Sequence, residues 1–286
     1  MNKKRKLIQS IVFSLIRISA GIVVFSLFSI ILFIVIKGLK AISWEFLTQP
    51  PKNAMTEGGI FPAIIGTLYL TLGAIIVALP LGIGTAIFLT EYSNEGKTVK
   101  LIRHGINNLA GVPSIIFGLF GLAFFVVFLK FGASILSGSL TLGFLILPVI
   151  IGATEEALKT VPHHYREASL ALGATKWQSI RTVVLPASLP GILTGTIIGV
   201  GRAAGETAPI MFTAATFYTT KLPKSIFDEV MALPNHIYVM ATAGTHIEAT
   251  RQLQYGTALV LIMLVLLLNI GAIITRYKFR KNLKGE

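Results

Sequence analysis

A chain of 286 residues that is 53% hydrophobic and 13% charged, with a mean hydropathy of +0.77, is not an ordinary water-soluble domain, since such domains carry about a quarter charged residues. The formal charge of +13 is spread between and beside long apolar runs, the placement that anionic lipids and the insertion machinery favour, so a nucleic-acid partner is excluded as the main reading. There is no cysteine, which excludes disulfides, thiolate metal sites and cysteine nucleophiles.

The chain opens on Lys3-Lys4-Arg5-Lys6 and an apolar run over residues 18–36. The run is longer than the core of a secretory signal, about 7–15 residues. It leads into Lys37 and Lys40 without a small-residue cleavage site, so it reads as a retained first span. A crossing helix needs about 20 mostly apolar residues, and residues 63–90, 106–129, 135–153, 190–215 and 256–275 also qualify. Pro80, in Leu79-Pro80-Leu81-Gly82, is expected to kink or loosen the second span. Glu91 and Glu95, beside Lys97 at its end, read as a solvated face.

With the amino terminus inside, seventeen Lys and Arg fall on the inner side and seven on the outer, Arg202 lying within a span. Basic residues mark the cytoplasmic side. The expected fold is therefore an all-α polytopic membrane protein with six transmembrane helices and both termini cytoplasmic. Residues 1–62 comprise a cytoplasmic tail, the first span and an external loop. Residues 63–275 form one membrane domain with a cytoplasmic loop over 154–189 and an external loop over 217–255, and residues 276–286 form a basic tail.

The cytoplasmic loop is rich in helix punctuation. Thr154 before Glu155 and Glu156 predicts a capped short helix. Pro162 predicts a second over residues 163–172, closed by Gly173, and a third over 176–184 should stop before Pro186. On this pattern alone an amphipathic connector and a protein-docking element stand about even. The chain has no Gly-x-x-x-x-Gly-Lys-Ser/Thr loop and cannot hydrolyse ATP by that route. No catalytic residue is assigned.

Arg202 and Glu206 lie in the otherwise apolar fifth span. A charge at that depth costs about 3 kcal/mol on insertion scales and needs a partner, water or a function. Four residues apart on a helix, the two are neighbours, so they form either a self-neutralising pair or part of a pathway. Gly195, Gly199, Arg202, Glu206, Pro209 and Thr213 share one stripe at helical spacing, small at one end and polar at the other. That grading suits a closed gate below an anion pathway, with Thr207 and Thr213 adding hydroxyls. Ser114 follows Pro113 at a possible helix break and either faces the pathway or bonds its own backbone. His104, His163, His164, His236 and His246 lack the spacing of a helical metal pair, and no metal site is expected.

Glu167-Ala168-Ser169, Gly173 and Val183-Val184-Leu185-Pro186 resemble the EAA motif of bacterial ABC importer permeases, with Ser169 for the second alanine and Val183 for isoleucine. The resemblance implies a type I importer permease in a bacterial cytoplasmic membrane. It also implies a coupling helix seated in an ATPase, with Glu167, Ala168, Ser169, Gly173, Leu185 and Pro186 as the coupling residues. Arg202-Ala203-Ala204-Gly205-Glu206-Thr207-Ala208-Pro209, together with Gly111-Val112-Pro113-Ser114-Ile115 through Gly121, is similar to the phosphate importer permeases, in the PstA rather than the PstC form. This likeness runs from about Gly66 to the last span. It implies a PstC-like second permease, a PstB-like ATPase dimer that uses ATP and Mg, and a PstS-like phosphate-binding protein outside. This chain itself would bind no cofactor. Phosphate rests on the resemblance, since a lone arginine does not distinguish it from sulfate or molybdate. A proton-coupled carrier using Glu206 is a further alternative, and one with no use for an ATPase-docking loop.

Overall fold

In lipid a backbone must satisfy its own N–H and C=O groups, so apolar segments of this length become helices. A computed structural model describes residues 3–94, 96–242 and 247–284, and Glu95 and His246 lie outside the described residues. The first helix, α1 (Lys3–Gly38), is unbroken, and its apolar window is unburied, so it stands at the edge of the bundle. It meets the rest near its end, where Phe33 packs edge-on against Tyr255 and Gly38 lies against the Tyr255 carbonyl. Next come α2 (Trp44–Thr48), capped by the Ser43 hydroxyl, and a small antiparallel hairpin of β1 (Pro51–Lys52) and β2 (Glu57–Gly58).

Helix α3 (Phe61–Ile87) contains Pro80 without being broken there. The loosening expected at Pro80 falls at the helix end, where the chain widens into a π turn over Phe88–Tyr92. The expected third span is not one helix. Helix α4 (Lys97–Ala110) ends at Gly111, α5 (Ser114–Gly121) continues as a π stretch to Phe128, and the two are bent by 101°. Pro113 explains the bend, since it has no N–H for a continuing helix and pushes the residue before it out of the helical region.

Helix α6 (Ile135–Lys159) runs straight through Thr154, which is buried within it and caps nothing. No proline stands between Pro148 and Pro162, and the buried Leu158 keeps the last turns packed, so Glu155 and Glu156 extend the fourth span. After Pro162 comes α7 (His163–Ala171), closed as expected near Gly173, whose φ of +84° suits a residue without Cβ. Helix α8 (Lys176–Ser179) begins at a Thr175–Gln178 capping box and passes through a π turn, Ile180–Val184, into α9 (Leu185–Gly205). The expected stop before Pro186 is absent. Pro186 falls at the opening of α9, where a missing N–H is tolerated. Then follow α10 (Ala208–Thr213), α11 (Leu233–Thr242) and α12 (Ile247–Lys284).

Among the described residues, five helical runs are long and apolar enough to cross a membrane, and the bent α4–α5 pair makes a sixth if counted as one span. The core lies where α3, α6 and α9 meet, with Leu70, Ala74, Leu142, Ile146, Ile150 and Ala203 buried together. Small residues allow the close approach that drives helix packing in lipid: Gly73 faces Ser139, and Gly191 and Gly195 face Ala157 and Ala153. At the end opposite α7, the first N–H groups of α6 are taken up by the Thr213, Asp228 and Ile226 carbonyls, so the long loop after α10 serves as its cap.

Candidate functional site

Two regions hold the residues singled out above. The first is α7 and its surroundings. Glu167, Ala168 and Gly173 are exposed, Ser169 is half-buried, and α7 buries no residue of its own. Leu172 is 89% exposed, and Tyr165, Leu170 and Trp177 are also uncovered, so this end offers an apolar face around a carboxylate. Leu185 and Pro186 do not join that face. They are half-buried in the stem where the π turn becomes α9.

Arg166 points the other way, into the bundle. Its Nη2 donates to Glu91 Oε1 at 2.6 Å, and its Nε donates to Glu91 Oε1 at 3.1 Å and Oε2 at 3.3 Å. Nη1 donates to the Val161 carbonyl at 2.7 Å and Nη2 also to that of Leu158 at 2.9 Å. The side chains are only 15% and 8% exposed, and a desolvated pair of this kind holds its charges only when hydrogen bonds replace the lost water, as the bonds to Glu91, Val161 and Leu158 do here. Glu91 is thus not the solvated residue expected. It sits on the π turn after α3, and the turn aims it at α7. Beside the pair, Arg103 of α4 donates to the Leu89 carbonyl at 3.1 Å and lies 3.7 Å from Glu155 of α6. A cleft of about 660 Å³, bordered by Glu91, Arg103, Lys159, Arg166, Glu167 and Lys176, separates α4 from the α7–α8 segment.

The second region is a break in the fifth span. The stripe expected along one helix is interrupted: α9 ends at Gly205, Glu206 is extended (φ −74°, ψ 135°), and α10 restarts at Ala208. Pro209 accounts for this, because it has no N–H for the Gly205 carbonyl and its ring would crowd that group. Gly195 packs on Ala153 of α6 and Gly199 on Ile150. Thr213 is fully buried beside Gly121, its hydroxyl donating to the Pro209 carbonyl at 2.9 Å, so it belongs to the packing and not to an open face.

Arg202, Glu206 and Thr207 remain partly accessible. Arg202 is in the last turn of α9, where the unsatisfied carbonyls favour a cation. Its Nε is 3.5 Å from Glu206 Oε1, and the side chains are 34% and 16% exposed. Among the described residues, nothing accepts a hydrogen bond from either terminal guanidinium nitrogen. Gly118 of α5 touches Ala208 and Pro209, and Gly121 touches Thr213, so α5 runs alongside α10. Ser114, half-buried, opens α5 one turn before Gly118.

Outside the spans, the amides of Lys224 and Ser225 hold the Asp228 carboxyl below its usual range. Of the functional candidates, sequence reasoning missed Glu91 and the inward role of Arg166. They lie 75 positions apart, a separation on which helical periodicity is silent.

Residues 78–284 match the family described as binding-protein-dependent transport system inner membrane component. The chain is similar to the probable ABC transporter permease protein YqgI of Bacillus subtilis (strain 168), with 32% identity over 94% of this chain and 95% of that protein. It is also similar to the phosphate transport system permease protein PstA of Xylella fastidiosa (strain 9a5c), with 36% identity over 82% of this chain and 81% of that one. Among solved structures, a bacterial ABC transporter involved in the import of the acidic polysaccharide alginate superposes with a TM-score of 0.66. The match covers 97% of this chain and 99% of that one at 14% identity, a likeness of fold alone.

Proposed function

The chain belongs to the family of binding-protein-dependent transport system inner membrane components, and from that premise we propose that it is the phosphate-conducting permease subunit of an ATP-driven importer. It is a multi-pass type I ABC importer permease and not catalytic alone. A permease of this kind works with an ATPase, a substrate-binding protein and a second permease. In the reading proposed here these are a PstB-like dimer using ATP and Mg, a PstS-like phosphate-binding protein and a PstC-like partner. Both termini and α7 face the cytoplasm, in keeping with the excess of Lys and Arg at that end.

One observation carries the substrate reading: Arg202 presents two terminal nitrogens with no protein acceptor among the described residues, at a helix break inside an apolar bundle. A guanidinium offers a planar donor fork that matches two oxygens of a phosphate. Glu206, touching only Nε, orients the side chain without occupying the fork. In this reading Ser114 and Thr207 supply further hydroxyls to the pathway. The extended Glu206 lets α10 move against α9 without breaking either helix. Glu167, Ala168, Ser169 and Gly173 seat α7 in the ATPase, while Leu185 and Pro186 shape the stem behind it.

The test is reconstitution of the whole complex in vesicles with its binding protein. ATP-dependent phosphate uptake is expected, with sulfate a poor competitor. Arg202→Ala and Arg202→Lys are each expected to lose uptake while still co-purifying with the ATPase. Normal uptake in either variant, or uptake driven by a proton gradient without ATP, would overturn the reading.

A further inference from the structure

Resting on the reading of α7 as the segment that meets the ATPase, we propose that Arg166 and Glu91 are a positioning pair, the strut through which displacement of α7 reaches the membrane bundle. Covalently, α7 is set off from its neighbours by Pro162 at its start, which cannot continue the preceding helix, and by Gly173 just past its end. It buries no apolar side chain, so apolar packing does not fix it to the spans. Arg166 does. A single guanidinium makes five hydrogen bonds, three to Glu91 at the end of α3 and two to the Leu158 and Val161 carbonyls at the end of α6.

The Leu158 carbonyl lies in the last turn of α6 and that of Val161 just past its end, so the cation braces the end of α6 while it grips α3. The planar fork holds direction as well as distance, which a point charge would not. Glu91 also stands on a π turn, a looser helix segment found often at functional sites, so its carboxylate can follow α7 without unwinding α3. Glu167, the next residue, is exposed. Adjacent residues thus divide the labour: one meets the partner, the other transmits to the spans.

The experiment uses the full complex in vesicles and measures phosphate taken up per ATP hydrolysed. Arg166→Gln and Glu91→Gln are expected to assemble and hydrolyse ATP while phosphate per ATP falls about 5- to 150-fold, the range of ordinary coupling energies. Arg166→Lys should recover part of the ratio, because it keeps the charge and loses the fork. The reversed pair, Glu91→Arg with Arg166→Glu, should exceed either single reversal. Wild-type phosphate per ATP in both glutamine variants would overturn the proposal. So would loss of ATPase binding in Glu91→Gln, which leaves the bonds from Arg166 to both carbonyls in place.

A second readout is independent of the transported ion. The chain has no cysteine, so spin labels at Asn94→Cys, past the π turn, and His164→Cys, on α7, report their separation in the complex. The separation should hold when ATP binds the wild-type complex and change on ATP binding in Arg166→Gln. A wild-type separation that changes as much as the variant's would overturn the strut. Absence of phosphate uptake by the wild-type complex, with labels behaving as expected, would sink the substrate reading and leave the strut standing.

Discussion

Acidification should destabilise this protein through one residue of α11, in the connection between the fifth and sixth spans. His236 is 3% exposed and Nδ1 has no hydrogen-bond partner among the described residues. Burial pushes its pKa down from 6.5 to about 4. Between those values the folded chain holds the imidazole neutral while the unfolded chain binds a proton, so stability rises with pH across the window. The contribution is fully present above pH 6.5 and is lost progressively as pH falls to about 4, where the loss levels off. The gap corresponds to about 3 kcal/mol. Replacing the imidazole by an apolar side chain, as in His236→Leu, removes the titration without leaving a polar atom unpaired. Unfolding of the purified complex in detergent would be compared for wild type and variant from about pH 7.5 to about pH 4. The expected result is a wild-type disadvantage that grows by about 3 kcal/mol as the pH falls. A difference flat with pH, or one that favours the wild type in acid, would refute the burial argument.

Other substitutions test the packing that positions the two regions. Gly195→Val should disrupt the fifth span, because even a Cβ there collides with Ala153; overpacking of this kind costs about 1–3 kcal/mol, read as a lower unfolding midpoint and weaker assembly. Thr67→Val should loosen α11, whose Leu233 N–H donates to the Thr67 hydroxyl at 2.8 Å in a buried site. Leaving that donor unpaired costs about 1–3 kcal/mol, and protease sensitivity after α10 or amide exchange at Leu233 measures it. Unchanged exchange there would show that the hydroxyl contributes nothing.

What the sequence revealed and what it hid follow from the range of the interactions involved. Five of the six spans declare themselves because lipid rewards long apolar runs, whatever their neighbours. Pro162 and Gly173 marked the limits of α7 because their backbone preferences are local. The errors arose where a local signal was overruled by context. Thr154 reads as a cap until the burial of Leu158 carries α6 past it, and Pro186 reads as a stop until a π turn places it at a helix opening. Pro209 broke the stripe four residues upstream, at Gly205, because it is the carbonyl of the preceding turn that a proline leaves without a donor. The Arg166–Glu91 pair joins distant parts of the chain and had no pattern to show. Its charges looked like surface residues because each lies beside a sequence that faces water.

The misread proline bears on mechanism. Had the helix stopped before Pro186, the segment after α7 and Arg202 would sit on separate rods with a hinge between them. The structure instead joins Lys176 to Gly205 in one helical run. At 1.5 Å per residue, Arg202 then lies about 40 Å along the run from the Lys176 end, beside α7. A rod of that length turns a small tilt at the loop into a larger displacement at Arg202, provided it is stiff. Its softest point is the π turn at Ile180–Val184, which is also where α9 leaves the cleft. On the reading proposed here, Arg166 and Glu91 secure α3 and α6 to α7 while the π turn lets α9 pivot against them. The break at Glu206 then receives that pivot, and α10, held to α5 through Gly118 and Gly121, does not follow it. Relative movement is therefore concentrated at Gly205–Thr207, next to the guanidinium whose terminal nitrogens have no acceptor among the described residues.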